Sequence, residues 1–307
     1  MEGKPKLHEV RDRGPLPGFE AKRDNASEGP SGPVSIIRPT RGLAGLGLGQ
    51  LWEYRELLYF LAWRDVKVRY KQTFLGVLWI VMQPIVTVVL FTLIFGKLLK
   101  VPSGGVPYPV FLLAALLPWN YFASTLNRCS NSLVGSAHLI TKVYFPRLVI
   151  PLSAALSGLV DFSLTFLVLI GLLAYFGIWP STGFLLLPIF FAMVFFTAVG
   201  FGLWLSALNV RFRDVNYLVP FLLQIWMYST PIVYGTSIIP DRFRWVLAFN
   251  PMTGVVEGFR WALLGEHWTE GGPETALFLV SIVTVVIVTI TGALFFRSTE
   301  RTFADII

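Results

Sequence analysis

The chain has 307 residues, of which 54% are hydrophobic and 14% are charged, and its formal net charge is +7. A soluble domain carries about a quarter charged residues, so this composition argues against a soluble globular protein and favours a membrane protein. The single cysteine excludes an intrachain disulfide, and the three histidines are too scattered to suggest a metal site. No nucleophile motif occurs. We therefore expect no catalytic residues, no metal site and no cofactor in this chain.

Residues 1–48 differ in composition from the rest of the chain. The first fifty residues contain nine glycines and six prolines, with mixed charges and no apolar run. Such a segment buries too little apolar surface to fold, so we predict a disordered cytoplasmic tail. It contains no signal-peptide core, and its glycine-rich stretch at 42–49 lacks the Gly-Lys-Ser/Thr ending of a nucleotide-binding loop.

Residues 49–72 are predicted to form an amphipathic helix at the membrane surface. Aromatic residues at spacings of seven, eleven and eighteen share one helical face, and basic residues share another. This pattern is typical of a helix lying among lipid head groups, where Arg and Lys bind phosphate through charge-assisted hydrogen bonds. A passive anchor is the alternative to a lipid entry gate. The candidate gate residues are Trp52, Tyr59, Trp63, Tyr70, Arg64, Lys67, Arg69 and Lys71.

Residues 73–307 are predicted to form an all-α transmembrane domain with six spans, because a helix needs about 20 apolar residues to cross the hydrocarbon core. One window is long enough for two helices and contains a Gly/Pro-rich turn signal at 177–183. Apart from Asp161, the long windows without acidic or basic residues are 72–96, 101–127, 148–210, 215–240 and 275–296.

The distribution of basic residues predicts that both termini are cytoplasmic. With that orientation the inside loops hold twelve Lys and Arg residues and the outside loops hold five. Positive charge concentrates on the cytoplasmic side of membrane proteins. The sequence pI of about 9.6 is then an effect of topology, and we expect no nucleic-acid partner.

Two segments between the spans are candidates for function. The stretch 131–142 can form a short helix after Asn131 or Ser132 as cap, which suits a docking element for a partner, although a simple connector is the alternative. The outer stretches 243–249 and 255–264 are apolar but too short to span, which predicts short re-entrant or interfacial helices. An ordinary folded loop is the alternative to short helices that dip into the outer leaflet or cap a pore. The candidate residues in these segments are Phe243, Trp245, Phe259 and Trp261.

Asp161 is the one carboxylate within a predicted span. Burying a charge in a membrane is costly, so three interpretations stay open: a helix-packing hydrogen bond, a polar group in a transport path, or a coupling-proton site. Aromatic residues are frequent in the spans, and flat rings suit a sugar-conducting pore, although they also suit contacts with lipid and helices. The other candidate channel residues are Trp119, Tyr121, Phe122, Phe166, Trp226 and Tyr228.

The basic segment that runs into an apolar helix, from Arg64 to Pro84, resembles the N-terminal signature of the permease subunits of bacterial ABC polysaccharide exporters, which export O-antigen, teichoic acid and related glycans. The resemblance covers about 50–307, and its segments occur in the expected order. The further matching segments are 145–148, 150–151, 209–215, 230–232, 250–252 and 259–260.

The resemblance implies a multi-pass homodimer in the bacterial cytoplasmic (inner) membrane, with two copies of a separate ATPase subunit that binds ATP and Mg. It implies export of a glycan linked to a polyprenyl diphosphate, with 51–71 as the entry gate and 237–264 as the outer gate. A permease for a drug or simple lipid, a proton-coupled carrier and a membrane glycosyl- or acyltransferase are the alternatives. A coupling helix near 131–142 would contact the ATPase through Leu133, His138, Leu139, Ile140 and Lys142.

Overall fold

A computed structural model describes residues 48–71, 76–179, 182–265, 275–300 and 303. Every regular element in these residues is helical, which confirms the predicted all-α membrane fold. Of the predicted N-terminal tail, only Leu48 lies within the described residues.

The N-terminal half contains two surface helices followed by two long helices and a short connecting helix. The predicted helix over 49–72 is divided by a turn at Tyr54. Helix α3 continues as a π-helix over Thr92–Leu98. The α-helices are α1 Leu48–Glu53, α2 Arg55–Lys71, α3 Gly76–Phe91, α4 Tyr108–Gly135 and α5 Ala137–Lys142.

The C-terminal half contains three long helices and three shorter ones. The predicted turn between α6 and α7 is confirmed, because α6 ends before Gly177, which has a φ of 68°. A 3-10 turn over Thr182–Leu186 precedes α7. The α-helices are α6 Val149–Tyr175, α7 Leu187–Arg211, α8 Val215–Ser229, α9 Asp241–Ala248, α10 Pro251–Leu264 and α11 Thr275–Thr299.

Five helices in the described part of the chain are long and apolar enough to cross a membrane, one fewer than the six spans predicted. The predicted span 215–240 contains only the 15-residue helix α8, which is about 22 Å long. A hydrocarbon core is about 30 Å thick. Helix α8 stops because Thr230 precedes Pro231 and adopts extended backbone angles, as the proline ring requires of its neighbour.

Helix α4 is the centre of the bundle. Its residues from Val110 to Trp119 are almost completely buried, and they pack with side chains of α6, α7 and α10 in one hydrophobic core. Helices α7 and α11 approach so closely that a Cβ added at Gly200 would lie 2.9 Å from Thr289 Cα. Small residues allow this kind of backbone approach between membrane helices.

Candidate functional site at the junction of the amphipathic helix and the bundle

The face of α1 and α2 that carries the aromatic residues is exposed at three of its four predicted positions. Trp52 is 71% exposed, Tyr59 69% and Trp63 49%. Lys67 and Lys71 are also exposed. Leu61 is buried and attaches α2 to the rest of the protein. This helix therefore lies at the surface of the protein, and its predicted amphipathic character stays a prediction.

Tyr70 and Arg69 turn away from this surface towards Asp161 of α6. Arg69 Nη1 lies 2.5 Å from Asp161 Oδ2, and the Tyr70 hydroxyl donates a hydrogen bond to Asp161 Oδ1 at 2.6 Å. Burial, reinforced by this hydrogen bond, raises the pKa of Tyr70 above its usual value, so the hydroxyl remains a donor. The end of α2 is thus tied to the middle of α6.

Arg128 of α4 completes the group. Its Nη1 lies 2.9 Å from the same Asp161 Oδ2, and its Nη2 donates to Ser124 Oγ at 3.0 Å. The Asp161 side chain is 23% exposed and those of Arg69 and Arg128 are 29% and 22% exposed. One carboxylate therefore joins three helices, through two ion pairs and a hydrogen bond rather than a single packing hydrogen bond. The transport-path and coupling-proton interpretations of Asp161 stay predictions.

The position of Arg128 corrects the predicted end of this span. The sequence suggested a span over 101–127 and a cytoplasmic loop from Arg128 onwards, but α4 continues to Gly135. The pairing of Arg128 with Asp161 balances its charge, so the helix does not have to end where the basic residue begins.

A cavity of about 710 Å³ lies beside this group. It is lined by α2, by the end of α4, by α5 and by the first turns of α6, and it contains residues predicted separately for the entry gate and for the partner contact, but none of those predicted for the channel. Its charged and polar lining residues are Arg64, Asp65, Arg69, Arg128, Asn131, Ser132, Ser136, His138, Ser153 and Ser157. The fold therefore assembles one basic, partly polar cleft from segments far apart in the sequence.

Arg64 also lines this cleft, but its ion pair differs from that of Arg69. Its guanidinium is paired with the neighbouring Asp65, with Nη2 2.8 Å and Nε 3.0 Å from Asp65 Oδ1. The Arg64–Asp65 pair lies within α2 and connects no second helix.

The predicted partner-contact helix exists as α5, but it is only six residues long. Leu133 and Ile140 are buried among the chain's own side chains, so they are not surface contacts as predicted. His138 and Lys142 are exposed, and Leu139 is half-buried and lines the cleft.

Two exposed side chains that follow α5 were not predicted from the sequence as contact residues. Val143 is 55% exposed and Tyr144 is 79% exposed. The sequence pattern that could have identified them is a pair of large side chains directly after the basic end of a short helix.

Three of the predicted channel residues lie in the packing core of the chain. Trp119, Tyr121 and Phe122 are at most 3% exposed, which argues against contact with a passing substrate in this conformation. Trp226 packs edge-on against the Phe122 ring at a centroid distance of 4.9 Å. Phe166 is half-buried and stacks on Phe162 at 6.0 Å, whereas Tyr228 is 60% exposed.

Both short outer helices are found, as α9 and α10, and they differ in environment. Phe243 and Trp245 of α9 are 49% and 55% exposed, consistent with an interfacial helix. In α10, Phe259 is 1% exposed and Trp261 is half-buried. Helix α10 is therefore part of the core, and Phe259 is not at an outer surface as the gate prediction requires.

A second polar cluster is centred on Arg260 of α10, which was not singled out as a site residue from the sequence. Arg260 is completely buried, with its guanidinium 3.7 Å above the Phe111 ring. It donates to the carbonyl oxygens of Pro231 at 2.8 Å, Ile232 at 2.5 Å and Tyr234 at 3.3 Å, and Nε to Phe111 O at 3.4 Å. Arg260 thereby holds the segment that follows α8.

Asn250 supports the same segment from the start of α10. Its Oδ1 caps the helix by accepting from Met252 N and also accepts from Trp226 Nε1 at 2.8 Å. Its Nδ2 donates to Thr230 Oγ1 at 2.9 Å. The end of α8 is therefore fixed by side chains of α10.

The helical bundle, the amphipathic helix at its edge and the basic cleft between them define a multi-pass membrane protein of the permease type. The ABC-2 type transporter family matches residues 56–264, which is more than half of the chain, and the chain belongs to this family.

Known relatives of this chain cover most of its length. It is 32% identical over 254 residues to the O-antigen export system permease protein RfbA of Klebsiella pneumoniae, which covers 82% of this chain and 95% of the relative. The RfbA protein of Myxococcus xanthus is 31% identical over 76% of this chain and 90% of its own length. The polysialic acid transport protein KpsM of Escherichia coli is 25% identical over 78% and 91%.

Proposed function

We propose that this chain is the transmembrane subunit of an ATP-driven ABC transporter that exports a lipid-linked polysaccharide. The similarity over 82% of the chain to a permease named for O-antigen export carries this proposal. A second relative is named for transport of polysialic acid, also a polysaccharide. The lipid link, as a polyprenyl diphosphate, is supported by the basic cleft, because Arg and Lys recognise phosphate groups.

The proposed entry route begins at α2. Trp52, Tyr59 and Trp63 place this helix among lipid head groups, and Lys67 and Lys71 attract the anionic head group towards the cleft. Arg69 and Arg128 lie at the inner wall of that cleft. A glycan carried on a lipid diphosphate would be bound here by its charged end.

Energy for transport is proposed to come from two copies of a separate ATPase subunit that bind ATP and Mg. The family to which this chain belongs implies an ABC ATPase partner. The exposed surface formed by His138, Lys142, Val143 and Tyr144 is the proposed contact with that partner. Each ATPase state must favour one permease state, because a partner shifts a conformational equilibrium only through differential binding.

We further propose that two copies of the chain form the pathway, in the bacterial inner membrane with both termini cytoplasmic. The orientation rests on the distribution of basic residues, twelve inside and five outside. Helices α3 and α8 carry large exposed apolar residues such as Trp79, Leu90 and Phe221, which suit contact with lipid or a second copy.

The test is affinity purification of the full chain in mild detergent from its native cell, followed by mass spectrometry of proteins and lipids. We expect a stoichiometric ATPase subunit and a polyprenyl-diphosphate glycan in the lipid extract. A homo-oligomer without an ATPase, under conditions that retain bound lipid, would contradict the proposal. An ATPase with a drug-like or simple lipid cargo would retain the ABC class and overturn the substrate.

A further inference from the structure

The donors around Asp161 are arranged as they would be around a bound anion. Two guanidinium groups from different helices converge on a single oxygen, Oδ2, at 2.5 and 2.9 Å, and the Tyr70 hydroxyl binds the other oxygen at 2.6 Å. Convergent Arg donors and a hydroxyl are the groups that hold phosphate oxygens in proteins. Here the anion they hold is a side chain of the protein itself.

The group opens onto a space large enough for a ligand. Arg69 and Arg128 both line the cavity of about 710 Å³, and Ser157, one turn before Asp161 on α6, lines it as well. Within the described part of the chain, Arg128 Nε is buried and has no hydrogen-bond partner. Arg128 therefore lines the cavity while keeping one buried donor without a partner, and its Nη1 and Nη2 are engaged.

We propose that Arg69, Arg128 and Tyr70 form a binding site for a phosphate or diphosphate group, and that the Asp161 carboxylate occupies this site until the ligand displaces it. The inference rests on the proposed function, because it assigns the charged end of the substrate to this site. Asp161 is then a positioning residue that competes with the ligand.

The competition has a mechanical consequence. Arg69 and Tyr70 belong to α2, Arg128 belongs to α4 and Asp161 belongs to α6. A ligand that takes over the donors keeps α2 and α4 joined through itself but breaks the ion pairs and the hydrogen bond that α6 makes with both, leaving the apolar packing between these helices. A diphosphate carries more negative charge and more acceptor oxygens than one carboxylate, so it can engage both guanidiniums in place of Asp161. Ligand binding would thus free α2 to move relative to α6.

The proposal is tested by binding to the purified full chain in nanodiscs, with inorganic pyrophosphate and undecaprenyl diphosphate as separate probes. Asp161→Asn removes the competing charge and should tighten binding about 5- to 150-fold, the usual range of coupling between linked equilibria. Glu56→Gln is the matched control, because it removes one negative charge from the exposed surface of α2, outside the residues that line the cleft. It should change affinity less than twofold.

The double variant with Asp161→Asn and Arg128→Gln should lose the gain. An Asp161→Asn affinity equal to that of Glu56→Gln, or a gain that survives Arg128→Gln, would overturn the proposal. Tight binding of pyrophosphate alone would point to a free phosphate ligand, and binding of only the lipid form would point to a lipid head group. Absence of binding by both probes in every variant would also overturn it.

A second measurement keeps Asp161 intact, in case Asp161→Asn does not fold. Spin labels at Phe60→Cys on α2 and Leu167→Cys on α6 report the separation of these helices, since both positions are exposed and Cys129 is buried. The probe that binds should shift or broaden the distance distribution, and an unchanged distribution at saturation would overturn the release of α6. Failure here leaves co-purification of the ATPase unaffected, so the two proposals fail separately.

Discussion

The clusters around Asp161 and Arg260 both hold guanidinium groups inside a membrane protein, but they pair these groups with different kinds of acceptor. Arg260 is fully buried and bonds to main-chain carbonyl oxygens, which the fold holds in place. Arg69 and Arg128 are partly exposed, bond to one side-chain carboxylate and border a cavity. Backbone partners cannot leave without unfolding the segment, whereas a carboxylate can be exchanged for another anion.

The difference indicates which arginine is structural and which are available for function. A buried charge bonded to several carbonyl groups stabilises one conformation, since breaking the set leaves polar groups unsatisfied. A charge shared between three helices and open to a cavity allows two arrangements with similar numbers of ionic contacts. Substitutions at Arg260 and Asp161 distinguish these two roles.

Arg260→Gln should destabilise the protein most. The substitution leaves carbonyl oxygens of Pro231, Ile232 and Tyr234 short of donors, at a cost of at least about 3 kcal/mol. Thermal unfolding of the purified chain in detergent measures the loss. Arg260→Lys should fail to restore stability, because one ammonium cannot replace the fork of donors. A stable Arg260→Lys protein would contradict the role of that fork.

Asp161→Ala should cost less, about 1–3 kcal/mol, because the arginines left behind are partly exposed to solvent. A double-mutant cycle with Arg128→Ala should give a coupling free energy of at least about 0.5 kcal/mol in chemical unfolding. Additive effects of the two substitutions would show that the ion pair does not join α4 to α6.

Asn250→Ala should cost about 1–2 kcal/mol, since it removes a helix cap and the bonds to Trp226 and Thr230. Tryptophan fluorescence should change with it, because Trp226 loses its indole hydrogen-bond partner. Asn250→Asp retains the acceptor for Trp226 and serves as the comparison. Equal losses in both variants would indicate that the acceptor oxygen is not the important atom.

Tyr144→Asp should weaken association with the ATPase about tenfold while changing the unfolding free energy of the chain by at most about 0.5 kcal/mol. Ile140→Asp, only four residues away, should lower stability itself, because Ile140 is buried. Co-purification and thermal unfolding distinguish the two effects. Undiminished co-purification of the Tyr144→Asp protein would remove this residue from the proposed contact.

The double substitution Lys67→Gln and Lys71→Gln should have the smallest effect on stability, within about 0.5 kcal/mol, because both side chains are exposed. Export of the glycan to the cell surface should nevertheless fall, since the lysines are proposed to attract the anionic head group. Lys97→Gln, a charge removal beyond α2, is the control. Normal export by the double variant would contradict the gate role of these lysines.

The long apolar helices and the turn at Gly177 could be predicted because hydropathy and a positive φ depend on local sequence. The early end of α8 also follows from the local sequence, because Thr230 precedes Pro231. A prediction based on stretches without charged residues does not detect it, since neither residue is charged.

The partners of Asp161 could not be predicted in the same way. Arg69 and Arg128 are 92 and 33 residues away from it in sequence. A sequence pattern also does not predict an arginine whose hydrogen-bond acceptors are main-chain carbonyl oxygens, as at Arg260. The burial of Trp119 and Phe259 was equally hidden, because helices that are apolar on every side do not show which face meets protein.

The contact between α7 and α11 limits how the protein can rearrange. Gly200 and Gly292 bring the two backbones together, and an added Cβ at either position would collide with the other helix. Helices in backbone contact have no layer of side chains that can reorient while one helix slides along the other. In any transport cycle α7 and α11 would therefore travel as one rigid body.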